Sequence, residues 1–303
     1  MTTSSEPPCK KAKSVEWSIT FDQVQSLQKL MEVISNVLLN VTMTIKLDDK
    51  RTPRIEIDSV DPKKVCMVMA RLDASSSVNL GADISLPSFC VKSKALLTCL
   101  GSCPSHYSID ITKFPDSSDI ILKSYETLSN SHVYEARIKT IVDDSEETYK
   151  LKNLTFKYVI EMDLHMLRGI VKSANSLSSE DIRFQVLEPK TTQTQRKITA
   201  FKLSAEGGDD ATPANVFVSE VDADSNVIRT EENIQAEIDM EDMIVRYDHR
   251  FSTQYLNYFF KSMERQNLTM KLSEDRPLVI DYPLGKDGSY ITFVLAARNE
   301  SDY

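Results

Sequence analysis

One order of apolar patterns runs through this chain twice. Residues 17–21 alternate apolar and polar, as a strand buried on one face does. From 21 to 39 the spacing changes. Val24, Leu27, Leu30, Met31 and Ile34 recur every three or four positions, the stripe of an amphipathic helix. Strands are predicted at 54–58 and 65–72, on either side of a turn at 59–64 that carries Asp-Pro chemistry. A second helix is expected at 91–100, ended by Gly101, and then strands at 107–112, 119–125 and 133–141. After residue 154 the series begins again. Residues 155–161 read as a strand. Asp163 offers an N-cap to a helix with Leu164, Leu167, Ile170, Val171 and Ala174 on one side. Strands follow at 182–187, 198–205 and 234–240, a helix at 251–262, and closing strands at 268–272, 276–282 and 290–297. The two series share almost no identical residues, so the repeat is one of pattern. The expectation is an α+β chain of two similar domains, 15–141 and 155–298, joined by a polar, acidic connector at 142–154. Short tails would lie at 1–14 and 299–303.

At 303 residues the chain is long enough for two domains of that size. A hydrophobic content of 41% with 27% charged residues is that of an ordinary water-soluble protein. The net charge of -9 argues against a coat that is basic all over, but charge can be segregated between faces. No run approaches the ~18 apolar residues of a membrane span. The N-terminal residues lack the apolar stretch of a signal peptide, and Lys10, Lys11 and Lys13 after two prolines read as a short nuclear import signal. Five cysteines without a Cys-x-x-Cys pair fit a reducing compartment. With 7 glycines in the chain, neither of the Gly-rich phosphate-binding motifs is present.

The strings FSTQYLNYFFKS (251–262), LTMKL (268–272), RPLVIDY (276–282) and YITFVLAA (290–297) give a short amphipathic helix followed by three strands. They resemble the C-terminal end of eukaryotic-type sliding clamps, the proliferating cell nuclear antigen family. IDSVDPKKVCMV (57–68) resembles that family's strand, Asp-containing turn and strand. LLTCLG (96–101) resembles part of its second helix, and 155–187 the opening of its second domain. The resemblance spans roughly residues 15–298. It implies a DNA clamp fold, with helices lining the inside and antiparallel sheets outside. It also implies a homotrimeric ring, in which 133–141 of one copy pairs with 198–204 of the next. Such a ring encircles double-stranded DNA without reading sequence and tethers DNA polymerase. It is loaded by a clamp loader, recruits peptide-motif replication and repair proteins, and acts in the nucleus or at a viral replication site.

The basic residues that would face DNA are Lys29, Lys92, Lys94, Arg168, Lys172 and Lys261, with Arg168 and Lys172 four apart on one helix face. Gln28, Ser35 and Gln254 stand where the family carries Lys or Arg, so the inner surface is less basic than usual. By the same resemblance, a hydrophobic-aromatic peptide would dock on Lys64, Val65, Met67, Tyr149, Leu151, Pro277, Leu295, Ala296 and Ala297. Ala297 replaces a usual proline, and Lys64 a smaller polar residue. No enzyme, cofactor or metal is expected. His106, His132, His165 and His249 are scattered, and Asp222, Asp224 and the acids of 237–242 read as a solvated acidic exterior. Two alternatives keep the same fold: a subunit of a heterotrimeric checkpoint-type clamp, and a non-ring viral polymerase accessory subunit.

Overall fold

The computed structural model of the protein describes residues 15–47, 52–73, 77–80, 87–115, 117–126, 129, 131–142, 155–190, 196–205, 214–222, 227–230, 242–263, 267–284 and 288–298. The first series comprises β1 (Trp17–Phe21), α1 (Val24–Ile34), β2 (Asn40–Leu47), β3 (Pro53–Val60), β4 (Cys66–Asp73), β5 (Ser77–Leu80), β6 (Ser88–Lys92), α2 (Ser93–Gly101), β7 (Ser108–Lys113), β8 (Asp119–Tyr125) and β9 (His132–Lys139). The second comprises β10 (Tyr158–Asp163), α3 (Leu164–Ser176), β11 (Asp181–Pro189), β12 (Arg196–Ala205), β13 (Ala214–Asp222), β14 (Val227–Arg229), β15 (Met243–Ser252), α4 (Thr253–Lys261), β16 (Asn267–Leu272), β17 (Leu278–Pro283) and β18 (Tyr290–Leu295).

The duplication is repeated in the hydrogen-bonded order of the strands. One sheet runs β5-β1-β7-β8-β9, and its counterpart runs β14-β10-β16-β17-β18. The other pair is β6-β2-β3-β4 and β15-β11-β12-β13. Antiparallel pairing of β18 with β4 fuses two of these four sheets into one of nine strands that crosses between the series. One detail differs: β5 is antiparallel to β1, whereas β14 is parallel to β10.

This topology corrects the expected inter-copy pairing. Residues 198–204 lie in β12, whose two edges are already taken by β11 and β13. Among the strands that end their sheets are β9 in the five-stranded sheet and β13 in the four-stranded sheet, alongside β5, β6, β14 and β15. Two boundaries also move. The second helix starts at Ser93, because Val91 and Lys92 belong to β6, and it ends at Gly101 as expected, with the amide of Ser102 bonding back to Cys99 and Leu100. Phe251 and Ser252 pair with Ile182 and Asp181 in β15, so the fourth helix begins at Thr253. The strand expected at 234–240 falls outside the described residues.

Both helix pairs pack side by side, α1 on α2 and α3 on α4, and α1 also meets α4. The helices therefore form a row α2-α1-α4-α3 over the sheets. Their apolar stripes are buried: Val24, Leu27, Leu30, Met31, Val33 and Ile34 on α1, and Leu164, Leu167, Ile170, Val171 and Ala174 on α3. Each large side chain so removed from water contributes about 1.5–3 kcal/mol. The N-cap is as the sequence predicts, with the Asp163 carboxylate accepting from the His165 amide at 2.5 Å. Phe259 of α4 stacks on Phe293 of β18 with ring centres 4.0 Å apart, which ties the helix row to the sheet at the junction between the series.

Candidate functional site

The helices place their side chains in two classes, buried apolar and exposed polar. Among the exposed ones are Lys94 on α2, Lys172 on α3 and Lys261 at the end of α4. Lys92 is exposed just ahead of α2, and Lys29 on α1 is half-buried. Within the four helices, five basic residues stand against a single acid, Glu32. The whole chain has 36 basic and 45 acidic residues. Charge is therefore segregated, with the helix layer positive on a negative protein. Such a layer attracts a polyanion through its backbone without distinguishing sequence.

Arg168 sits differently from the lysines. Its Nε donates to the Phe260 carbonyl at 2.7 Å, and its second guanidinium nitrogen donates to the Met263 carbonyl. The guanidinium thus caps the C-terminal end of α4, satisfying carbonyls that have no partner inside the helix. The first series has the same device without the charge. Gln28 Nε2 donates to Leu100 O at 2.7 Å and to Cys103 O at 3.0 Å, at the end of α2. Gln28 and Arg168 are both the fifth residue of their helices. Their acceptors are the eighth residue of the neighbouring helix and the residue three further on. Position 28 therefore has a structural role as glutamine, and its lack of charge is no simple loss.

On the opposite face of the nine-stranded sheet the register brings a second group together. Val60 of β3 lies beside Met67 of β4, Met67 beside Val294 of β18, and Val294 beside Val279 of β17. These residues cluster with Met69 and Phe156, apart from the main core. One step toward the sheet end, Val65 accepts from the Ala296 amide at 3.0 Å, and Pro277 precedes the Leu278–Leu295 pair. Val65 is half-buried against the main core, while Met67, Pro277 and Ala296 fall on the outer side by register. Leu295 does not. It is one residue out of phase, fully buried in the main core, and Val294 takes its place. Ala297 is half-buried against that same core. Tyr149 and Leu151 lie outside the described residues. Val60, Val279 and Phe156 are lining residues that the sequence reading missed.

The turn beside this patch is held by one carboxylate. Asp61 is 3% exposed. Its Oδ1 accepts from the amides of Val65 (2.7 Å) and Cys66 (2.6 Å), and its Oδ2 from the Lys63 amide (3.0 Å). The Tyr255 hydroxyl of α4 also donates to Oδ2 at 2.6 Å, reaching across from the second series. Burial, reinforced by this bond, pushes the Tyr255 phenol well above its ordinary pKa. Lys64 at the turn tip has φ 58°, a left-handed conformation that a lysine adopts only where neighbours fix it.

Residues 192–298 match the family model of the proliferating cell nuclear antigen C-terminal domain. No curated protein matches the sequence. Among solved structures, the chain is similar to the proliferating cellular nuclear antigen of Entamoeba histolytica. The TM-score is 0.70 at 12% identity, over 94% of this chain and 100% of that one. It is also similar to the antigen of Thermococcus kodakaraensis, with TM-score 0.67 at 15% identity, over 93% of this chain and 100% of that one. Identities this low speak for the fold, and the domain match speaks for the C-terminal third of the sequence. The chain therefore shares the fold of these antigens along nearly its whole length, and its residues 192–298 match the proliferating cell nuclear antigen C-terminal domain.

Proposed function

We propose that three copies of this chain close into a ring around double-stranded DNA and tether a DNA polymerase and other replication and repair proteins to it. The observation that carries this reading is the internal symmetry of the strand edges. Within the chain, β18 of the second series pairs with β4 of the first. The counterpart of β18 is β9, and the counterpart of β4 is β13. Both of these end their sheets. Joining β9 of one copy to β13 of the next repeats the internal junction between molecules, in place of the pairing through 198–204. Each exposed edge also carries an apolar side chain, Val133 on β9 at 53% exposure and Val216 on β13 at 38%. Head-to-tail contacts of this kind close into a ring when the rotation between copies allows. Division of the chain into domains 15–141 and 155–298 around the connector follows from the same symmetry.

The helix row then lines the hole, and Lys29, Lys92, Lys94, Lys172 and Lys261 meet phosphates. Arg168 contributes its charge from its place at the α4 terminus. Retention depends on closure of the ring, so a modest number of phosphate contacts suffices and permits sliding. The role is mechanical and uses no catalytic group. The outer patch around Met67, Val279 and Val294 docks partner peptides, and a clamp loader opens the ring for loading. The site of action is the nucleus, or a viral replication site. Light scattering is expected to give a particle of about three times 34.3 kDa. Val133→Asp should shift it toward monomers by placing a charge in the seam. A loaded ring should stay on circular DNA and leave linear DNA. A monomer that still confers processivity would overturn the reading.

A further inference from the structure

The internal junction specifies a register for the contact between copies, given the reading of β9 and β13 as the two sides of a seam. In the first five-stranded sheet, Ile19, Ile111, Leu122 and Ala136 stand in one row across the strands. In its counterpart the row is Ile160, Met270, Ile280 and Phe293. Ile19 and Ile160 are each the middle of three buried residues in the first strand of their series. Ala136 therefore matches Phe293, and Tyr134 matches Ile291. In the other two sheets the rows are Phe89, Met43, Ile57 and Ala70, and His249, Phe184, Leu203 and Asn215. Phe89 and His249 each stand four residues before a helix, so Asn215 matches Ala70. Inside the chain, Ile291 lies opposite Ala70 and Tyr290 opposite Arg71. Between copies, the same register sets Tyr134 opposite Asn215, Val133 opposite Val216 and Glu135 opposite Ala214.

We propose that the seam is self-complementary in this one register, so that the partner it fits is a second copy of this chain. The two exposed valines then cover each other on the outer face, at the place where Tyr290 and Arg71 meet within the chain. Tyr134 and Asn215, both half-buried, meet on the core side. Glu135 faces Ala214, so no like charges oppose each other at these three pairs. β8 passes over Val133 in a bulge, and residues 134–138 carry the register. A slip of one residue would oppose Val133 to Asn215 or Phe217, on the wrong face. A slip of two would set Val216 against Glu135 or Ser131. Within the chain, the Ala296 amide donates to the Val65 carbonyl, and every second pair along this ladder, down to Tyr290 and Arg71, is of the same hydrogen-bonded type. Val133 and Val216 inherit that type, with Cα atoms about 5.5 Å apart.

The test uses the full-length chain carrying Val133→Cys and Val216→Cys, treated with a mild oxidant and run on a denaturing gel without reductant. The expected spacing lies within the range of about 4.4–6.8 Å that a disulfide spans. A covalent species of three chains is expected, formed about tenfold faster than in Val133→Cys/Ala214→Cys or Val133→Cys/Val218→Cys, where the geometry is wrong. Each single variant, which controls for the native cysteines, should stay at the mass of one chain. As a second reading, Val133→Asp/Val216→Lys should restore the three-chain particle that Val133→Asp loses, measured by light scattering, and Val133→Asp/Ala214→Lys should not. Crosslinking through position 214 or 218, or none within a particle of three chains, overturns the register and leaves the ring standing. An unsubstituted chain that stays monomeric overturns the ring itself.

Discussion

The hydroxyl of Tyr255 joins the helix layer to the outer turn, and removing it tests how much that link contributes. Tyr255→Phe keeps the ring and its packing, at a position 9% exposed. It deletes the 2.6 Å bond to Asp61 Oδ2 and leaves that oxygen with the Lys63 amide at 3.0 Å as its remaining donor. A hydrogen bond to a charged group contributes about 1.5–3 kcal/mol, and an under-satisfied buried carboxylate favours the upper part of that range. The expected loss is therefore about 2 kcal/mol. It should appear as a lower urea midpoint at unchanged slope, measured at one protein concentration. Amide exchange at residues 63, 65 and 66 should accelerate together. There is also a pH signature. The phenol's pKa is raised in the folded state, so its stabilisation is complete below the ordinary tyrosine value of about 10 and fades as pH rises through the folded value. The difference between wild type and variant should shrink at strongly alkaline pH. A change below about 0.5 kcal/mol would refute the reasoning. So would a double-mutant cycle with Asp61→Asn that shows simple additivity.

Arg168→Gln should be nearly neutral in stability, because Gln28 performs the same capping in the first series. Arg168→Leu should cost about 1–3 kcal/mol in thermal or chemical unfolding by stranding two carbonyls. Lys172→Ala should lower the salt dependence of DNA binding by about 0.9 in log–log slope for each phosphate that the lysine neutralises, read by filter binding, while retention on circles stays unchanged. Asp248 accepts two bonds from Arg183 (2.7 and 2.6 Å) and one from Gln185 (3.0 Å). Burial pushes its carboxyl up, but those hydrogen bonds outweigh burial and hold it below the usual range. Its contribution is present above pH ~3.9 and fades as pH falls through the lower folded value. Asp248→Asn should cost about 1 kcal/mol at neutral pH, after allowance for partial exposure, and little in strong acid, as followed by circular dichroism.

Much of the repeat was legible because amphipathic periodicity is local. The helices at α1 and α3 follow from their stripes, and the Asp163 cap from its residue type and place. β2 had an available signal in the alternation of Val41, Met43 and Ile45, all buried, and yet no strand was expected between residue 39 and the strand at 54–58. β15 was harder to read. Its residues 243–250 are mostly half-buried or exposed, with a bulge opposite Val186/Leu187, so period two is broken. The outer patch depends on register between β3, β4, β18 and β17, whose partners lie far apart in the chain. Sequence reading named Met67, Pro277 and Ala296 for it and put Leu295 on the wrong side by one position. Arg168 shows another limit. A basic residue on a helix reads as a phosphate contact until the carbonyls it caps, 92 and 95 residues away, are brought to it by folding.

The matched caps at Gln28 and Arg168 bear on how such a duplicated molecule can change over time. What the two series hold in common at this spot is a planar group with nitrogen donors aimed at a pair of acceptors, and either side chain supplies it. The requirement fixes hydrogen-bond geometry and leaves formal charge free. The two copies could thus drift in electrostatic character, one becoming neutral and the other remaining cationic, while the angle between their helices stayed the same.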